Sequence, residues 1–161
     1  MSEKVESSRY TIYNLLKETN INWQQVLLEI LSSFDCTTGT IHFLDEKTSL
    51  LNLEVQQGLP AFLLPKLSVI PIGKGMAGIA AERREPVEMC NLQTDKSGVA
   101  RPAAKETKVE GSIAVPMILN GILYGVLGIA KPVPYDFTEV EVNELLKIGK
   151  EMSRCISSGL I

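Results

Sequence analysis

Residues 111–129 read Gly111-Ser-Ile-Ala-Val-Pro-Met-Ile-Leu-Asn-Gly-Ile-Leu-Tyr-Gly-Val-Leu-Gly-Ile129. Two apolar runs flank Asn120-Gly121, a dipeptide that supplies the two positive φ angles of a type I′ turn and is typical of a tight β-hairpin. Neither run alternates cleanly between apolar and polar residues. Because strands that are apolar on both faces need cover on both faces, the stretch predicts a hairpin inside a sheet with other elements packed on each surface.

Simple alternation assigns the side chains of this hairpin to faces. In the first strand, one face is predicted to carry Ile113, Val115, Met117 and Leu119, and the other Ala114, Pro116 and Ile118. In the return strand, one face is predicted to carry Leu123, Leu127 and Ile129, and the other Ile122, Tyr124 and Val126. Both faces are therefore expected to contribute to the core.

Composition and charge exclude several classes of protein. The 161 residues suit one domain, and 45% hydrophobic with 22% charged residues is ordinary globular usage. The net charge of −3, without a run of five like charges, argues against a nucleic-acid partner. No apolar run approaches the ~20 residues of a membrane span, and the first residues lack the layout of a signal peptide. Cys36, Cys90 and Cys155 are widely spaced without a C-x-x-C pair, which fits a reducing cytoplasm.

Helices are predicted near both ends of the chain. The first runs roughly from Val5 to Thr19, and the second opens at Asn22, whose side chain is expected to form a reciprocal capping box with Gln25. The last helix opens with a second capping box, Thr138-Glu-Val-Glu141. Apolar stripes at helical spacing are predicted to face the core at Ile12, Leu15, Leu16, Trp23, Val26, Leu27, Ile30, Leu31, Phe34, Val142, Leu145, Leu146, Met152 and Ile156.

Short elements fill the middle of the chain. Strands are predicted at residues 40–44, 50–56, 68–72 and 86–90, with Leu51, Leu53 and Val55 together on the inner face of the second, and short helices at 61–66 and 79–84. Residues 91–110 have no regular pattern. Strands joined by tight turns predict an antiparallel sheet in an α+β fold. The terminal helices are expected on one face and the irregular middle on the other.

Two motifs with chemical potential have ordinary structural interpretations. Gly73-Lys-Gly-Met-Ala-Gly78 matches G-x-G-x-x-G but lacks the βαβ unit of a dinucleotide site. We interpret it as a turn into a helix, whose free N–H groups can face an anionic group of a ligand. His42 is the only histidine, without the spacing of a catalytic triad or a zinc site, and is expected to be half-buried and bonded to a neighbour.

The irregular segment supplies the candidate binding residues. Ser97, Arg101 and Lys105 combine a hydroxyl group with two cations that can pair with a carboxylate or phosphate. A solvated loop and a ligand-binding cover both remain open for this segment. Ser112, on the first strand of the hairpin, is a further candidate. No catalytic residue, metal or cofactor is expected.

These residues together resemble a GAF domain over about residues 22–156. The resemblance is carried by Gly73-Lys-Gly-Met-Ala-Gly78, Glu85-Pro-Val87, Gly111-Ser-Ile-Ala-Val-Pro116, Gly125-Val-Leu127 and Phe137-Thr-Glu139, in that order. It implies a profilin-like antiparallel sheet of about six strands, with a helical face used for dimerisation and a ligand pocket on the other face. Residues 1–20 would then be an N-terminal helix, linker or dimerisation element, and residues 21–158 the GAF domain.

Known subtypes of the family are compared through single positions. The pattern of cyclic-nucleotide-binding members falls on Ala130, Lys131, Phe137, Glu141 and Val142. Lys131 and Glu141 can keep the ion pair of that pattern, but Ala130 stands in place of its asparagine. Bilin-binding members carry a Cys next to a His, whereas Asn91 follows Cys90 here. Free methionine sulfoxide reductases carry a cysteine where Ala77 stands.

The leading hypothesis is a small-molecule-sensing regulatory GAF domain, non-enzymatic, cytoplasmic and part of a signal-transduction or transcription-regulating system. An unidentified ligand would bind between the sheet and residues 91–110, and closure of that cover would shift the terminal helices of a homodimer. Two alternatives are a dimerisation module without a ligand and a reductase similar to the free methionine sulfoxide reductases, with Cys90 as its best candidate.

Overall fold

The computed structural model describes residues 3–159, with the side chains of residues 9–159. Its helices are α1 (Glu3–Leu15), α2 (Trp23–Ser33), α3 (Leu64–Leu67, preceded by a 3₁₀ turn at Ala61–Leu63), α4 (Gly75–Arg83), α5 (Pro102–Lys105) and α6 (Glu139–Gly159). Its strands are β1 (Thr38–Asp45), β2 (Leu50–Gln57), β3 (Val69–Pro71), β4 (Val87–Met89), β5 (Ser112–Leu119) and β6 (Ile122–Ala130). The strands form one six-stranded sheet in the order β3-β2-β1-β6-β5-β4. Every pairing is antiparallel, which confirms the predicted α+β class.

The predicted hairpin, β5–β6, lies inside this sheet between β1 and the edge strand β4. Asn120 and Gly121 have φ angles of 52° and 77°, as a type I′ turn requires. Ile113 and Val115 on one face and Ala114 on the other are all buried. The two-sided cover that the sequence predicts is therefore present.

A β-bulge corrects the predicted faces of the return strand. Met117 pairs with Gly125, whereas the next residue, Ile118, pairs with Leu123, so that Tyr124 is an extra residue in β6. Leu123 consequently packs beside Val126, on the face opposite Leu127 and Ile129. The prediction that Leu123 shares their face was wrong, because strict alternation does not survive an inserted residue.

A second bulge has the same effect in β2. Ile41 pairs with Val55 but His42 pairs with Leu53, which leaves Glu54 as the extra residue. Val55 packs towards the terminal helices, whereas Leu51 packs in the cluster on the other side of the sheet. The predicted common inner face of Leu51, Leu53 and Val55 was therefore wrong as well.

Helices α1, α2 and α6 cover one face of the sheet, as predicted. Ile12, Leu27 and Leu145, one from each helix, are fully buried in the same cluster. An ion pair of 2.9 Å between Arg9 Nη1 and the buried Glu144 Oε1 also joins α1 to α6. The first and last helices of the chain therefore lie side by side.

Side-chain caps define the starts of helices α2 and α6. The Asn22 side chain accepts from the N–H of Gln25 at 3.1 Å, but Gln25 donates to Glu29 instead of closing the predicted capping box. The second box is complete, because Thr138 and Glu141 exchange bonds of 3.2 and 2.9 Å. Several predicted boundaries were displaced; for example, α1 ends at Leu15, β1 already begins at Thr38, and α4 begins inside the glycine motif.

Short elements cover the other face. Helix α4 contributes Ala80 to a second buried cluster, together with Leu51, Ala114 and Val126 of the strands. Residues 91–110 contribute Leu92, Ala100 and Val109 to a third. The edge strands β3 and β4 are three residues each, which agrees with the expectation that Pro71 excludes the former from the centre. Within residues 3–159, no helix has the length and apolarity needed to cross a membrane.

A buried lysine ties the end of α2 to the start of α6. The Lys131 ammonium group donates to the carbonyl oxygens of Phe34 and Asp35, the latter at 3.2 Å, and lies 4.4 Å from the centroid of the Tyr135 ring. The Tyr135 hydroxyl donates to Glu141 Oε1 at 2.7 Å, and this bond raises the pKa of Tyr135 to about 12. Among the described residues Lys131 forms no ion pair with Glu141, so the pairing suggested by the resemblance is replaced by the intervening tyrosine.

Replacing this lysine tests its structural role. Lys131→Met keeps the unbranched stem but leaves the α2 carbonyl groups without their charged donor, so we expect a loss of about 2 kcal/mol in the free energy of unfolding. Urea denaturation followed by circular dichroism measures the change. Lys47→Met, at an exposed turn, is the matched control and should be neutral. Equal stability of the two variants would contradict the assigned role.

Candidate functional site

A cavity of about 140 Å³ lies between the sheet and its cover of short elements. Its floor is formed by the central strands β1, β5 and β6, and its walls by the β2–β3 connection, the start of α4 and residues 92–109. The residues that face it from the cover and from the strands include Leu59, Leu67, Ile70, Met76, Leu92, Ala104, Thr107 and Val109, and Thr38, Thr40, His42, Ser112, Ala114, Gly128 and Ala130. The cavity is therefore mostly apolar, with a small number of polar groups.

Small residues in the floor make room for the cavity. Ala114 pairs with Gly128, and both line the cavity. A Cβ atom at Gly128 would lie 3.1 Å from Thr40 Oγ1, so even a methyl group would crowd the floor. The central strands thus combine a tightly packed helical face with an opposite face that leaves space.

The glycine motif builds one wall of the cavity. Gly73 and Gly75 have φ angles of 90° and 68°, and the Gly73 N–H donates to the Gly78 carbonyl oxygen at 2.8 Å, which closes the turn. Helix α4 then begins at Gly75 without a side-chain cap. The N–H groups of Gly75, Met76 and Ala77 have no intrahelical acceptor, and all three residues line the cavity. The antiparallel sheet excludes a dinucleotide-binding βαβ unit, so the motif is a turn into a helix, as interpreted.

Two cationic side chains stand at this wall. Arg101 crosses the start of α4 so closely that a Cβ atom at Gly75 would lie 3.1 Å from Arg101 Cδ. Lys74, the residue before the helix, also lines the cavity. Among the described residues no aspartate or glutamate lines the cavity. The wall therefore combines two cations with the positive end of a helix dipole.

The four residues predicted to contact a ligand fall into two groups. Arg101 and Ser112 line the cavity, and the buried Ser112 hydroxyl donates to the Glu110 carbonyl oxygen at 3.2 Å. Ser97 and Lys105 do not line it. The Ser97 hydroxyl donates to Asp95 Oδ2, and the Lys105 ammonium group donates to the Asp95 carbonyl oxygen, each at 2.7 Å. These two residues hold the cover in shape instead of facing the cavity.

His42 is a lining residue that the sequence analysis did not assign to the site. It is 1% exposed, not half-buried as predicted, and its Nε2 atom lies 2.9 Å from the Leu67 carbonyl oxygen. Since a carbonyl oxygen only accepts, Nε2 carries the proton and the neutral ring leaves Nδ1 as a bare acceptor. Nδ1 is enclosed and has no hydrogen-bond partner among the described residues. The available signal was a single histidine within a predicted strand.

The three cysteines lie away from the cavity. Cys36 is buried under the helices, and this burial raises the pKa of its thiol to about 12. Burial likewise raises the pKa of the Cys155 thiol on α6. Cys90 is exposed at the end of β4. None of the three lines the cavity, and among the described residues no group of His, Cys, Asp and Glu is arranged to hold a metal ion.

Comparisons with known proteins agree with this architecture. The family model for the GAF domain matches residues 24–157. The GAF domain of a phosphoenolpyruvate-protein phosphotransferase from Acinetobacter is 17% identical with a TM-score of 0.79, covering 98% of this chain and 96% of that one. The corresponding domain from Coxiella burnetii is 20% identical with a TM-score of 0.78, covering 99% and 100%. The free methionine-R-sulfoxide reductase of Neisseria meningitidis, solved with its substrate, is 19% identical with a TM-score of 0.78, covering 99% and 93%. No curated protein matches the chain significantly.

The buried histidine predicts a pH dependence of stability. Burial lowers the pKa of His42 below 6.5, more than the bond to Leu67 raises it. The neutral ring therefore stabilises the folded state fully above the unfolded pKa of about 6.5, and this contribution is lost as the pH falls towards the lower folded value. We expect the urea midpoint of the wild type to fall more between pH 7.5 and 5 than that of His42→Gln, which retains a donor for Leu67 but does not titrate. Parallel pH profiles would contradict this assignment.

Proposed function

The chain belongs to the GAF domain family, and we propose that it is a sensory and regulatory domain that binds a small molecule without transforming it. The observation that carries the proposal is the cavity of about 140 Å³ under a cover of short elements. Mostly apolar pockets with a few convergent polar groups are the usual form of a small-molecule site. A domain of this kind would serve a signal-transduction or transcription-regulating system.

Residues 91–110, the irregular part of the cover, support a mode of binding in which the cover closes over the ligand. Residues 91–110 contain only the single turn α5 and are held by local bonds such as those of Ser97 and Lys105 to Asp95. Leu92, Ala100 and Val109 anchor the segment in a small buried cluster, whereas none of residues 93–99 is buried. A stretch with few buried apolar contacts opens at low free energy. A ligand that contacts both Arg101 on the cover and the sheet floor would favour the closed form, since a ligand shifts an equilibrium by its differential affinity for the two states.

Only the sheet itself separates the cavity on one face from the terminal helices on the other, so neighbouring residues of one strand reach both. On β1, His42 lines the cavity while its neighbour Ile41 is fully buried among α1, α2 and α6. On β5, Ser112 and Ala114 face the cavity while Val115 packs towards the helices. A displacement of these strands on ligand binding would reach α2 and α6 directly, which supports the helices as the output.

The positions of the thiols favour a sensor over a reductase. The family resemblance places a reductase cysteine at Ala77, and Ala77 lines the cavity without a thiol. Cys36 and Cys155 have raised pKa values and lie on the helical side, which disfavours the reactive thiolate. The likeness to the Neisseria reductase, at 19% identity, shows a common fold and by itself assigns no activity to this chain.

The output is proposed to be a homodimer formed by the helical face. One apolar side chain is exposed on each of its helices: Tyr10 on α1 is 71% exposed, Leu28 on α2 38% and Val140 on α6 57%. In the proposed dimer these three side chains would contact the second protomer. The three free cysteines fit action in a reducing cytoplasm.

Native mass spectrometry of the purified protein tests ligand retention and oligomeric state together. We expect a dimer that carries a bound molecule. Arg101→Gln should lose the bound mass, because it removes a cation from the cavity, whereas Lys96→Gln makes the same change of charge on the exposed cover and should retain it. Ligand-free protein that a metabolite library also fails to stabilise against heating would contradict the sensor. A monomer at tens of micromolar would contradict the dimer.

An activity assay separates the sensor from the reductase alternative. Free methionine-R-sulfoxide with a thiol reductant is expected to give no turnover above the buffer rate, because no thiol lines the cavity. Turnover that Cys90→Ser abolishes would overturn the non-enzymatic proposal, with Cys36→Ser as the matched control.

A further inference from the structure

The cavity has two chemically different sides, and we propose that its ligand is a small anion that also carries a neutral hydrogen-bond donor, such as a short hydroxycarboxylate. The anionic group would lie at the start of α4, and the donor would meet Nδ1 of His42. This inference rests on the proposed function, because it names the ligand class of the same cavity.

The side at α4 fits an anion. The uncapped N-terminus of this nine-residue helix presents three N–H groups without intrahelical acceptors. Arg101 lies against Gly75, the first helical residue, and Lys74 precedes it. Among the described residues, neither Arg101 nor Lys74 has an ion-pair partner, and no carboxylate lines the cavity. An anionic group at this side would satisfy the free N–H groups and both cations.

The side at His42 fits a donor and gives independent support for a ligand. His42 lines the cavity, is 1% exposed, and uses its Nε2–H for the Leu67 carbonyl oxygen at 2.9 Å. Nδ1 is left as an enclosed acceptor without a partner. Buried polar atoms are rarely left unpaired in native proteins, and each exception calls for a physical reason. A ligand hydroxyl or amide group would provide the missing donor.

The donor is neutral because, within the described part of the chain, no carboxylate that could pair with a cation lines the cavity. An ammonium group beside the buried His42 would lack a carboxylate partner and would share the cavity with the exposed cations of Arg101 and Lys74. An unpaired charge removed from water is strongly disfavoured. Hydroxycarboxylates are therefore preferred over amino acids of the same size.

The volume limits the length of the ligand. A cavity of about 140 Å³ is comparable to one that holds a benzene molecule, so the ligand has roughly six to ten non-hydrogen atoms. Apolar residues such as Ile70, Leu92 and Val109 line the cavity and suit a short hydrocarbon segment. Nucleotides and tetrapyrroles exceed this volume.

Isothermal titration with matched compounds tests the proposal. The probes are lactate and 3-hydroxybutyrate, their deoxy analogues propionate and butyrate, and the uncharged amides lactamide and 3-hydroxybutyramide. We expect at least one hydroxy acid to bind about tenfold more tightly than both its deoxy acid and its amide, because each analogue loses one of the two interactions. Arg101→Gln should remove the preference for the acid over the amide, and Lys96→Gln should keep it.

The single histidine of the chain provides a readout that needs no variant. In a long-range ¹H–¹⁵N spectrum of the wild type, Nε2 should carry the proton and Nδ1 should not. Addition of the bound hydroxy acid should shift the Nδ1 resonance, and addition of the deoxy acid should leave it nearly unchanged. An Nδ1 resonance that does not respond to the bound hydroxy acid would overturn the role of His42.

The outcomes separate this inference from the proposed function. If the native protein retains a bound molecule but binds none of the hydroxy acids at millimolar concentration, the ligand class is wrong and the sensor stands. Amides that bind as tightly as acids would likewise overturn the anionic side. If the protein neither retains a molecule nor is stabilised by any metabolite, both proposals fail.

Discussion

The need to bury both faces of the central strands determines the rest of the structure. β1, β6 and β5 carry apolar side chains on each side, but the two sides are covered by different means. Long amphipathic helices pack continuously on one side, where residues such as Leu27 and Leu145 are fully buried. Single helical turns and loops cover the other side. Short elements cannot fill such a surface continuously, and the cavity lies where their coverage is incomplete.

Local signals in the sequence were sufficient for the architecture but not for the register. The Asn120-Gly121 turn and the Thr138–Glu141 capping box depend on neighbouring residues, so both were predictable. The bulges at Tyr124 and Glu54 depend on which residue the opposite strand presents. No local pattern encodes that choice, and each bulge reverses the face of every residue beyond it. The errors in the predicted faces of Leu123 and Val55 have this single cause.

In the candidate site, too, some features follow from local sequence and could be predicted, whereas others depend on the tertiary structure and could not. Composition indicated residues 91–110 as a source of candidate binding residues, but it did not indicate which charged side chains turn inwards. Arg101 lies against α4, whereas Lys105 binds the backbone of Asp95 within the cover. His42 became recognisable as a site residue only when the fold placed Leu67, distant in sequence, against its Nε2 atom. That Nδ1 of His42 remains an unpaired acceptor likewise depends on the tertiary structure and cannot be seen in the local sequence.

The packing of the helices makes the sheet well suited to transmit a change in the cavity. A Cβ atom at Gly39 would lie 2.8 Å from the Leu31 side chain, so α2 sits directly on β1. A Cβ atom at Gly149 of α6 would lie 3.4–3.5 Å from Met117 and the Pro116 carbonyl oxygen of β5. Close-packed interiors have low compressibility and transmit strain. Strands that shift to accommodate a ligand would therefore have to move α2 and α6 with them, since little free space separates these helices from the sheet.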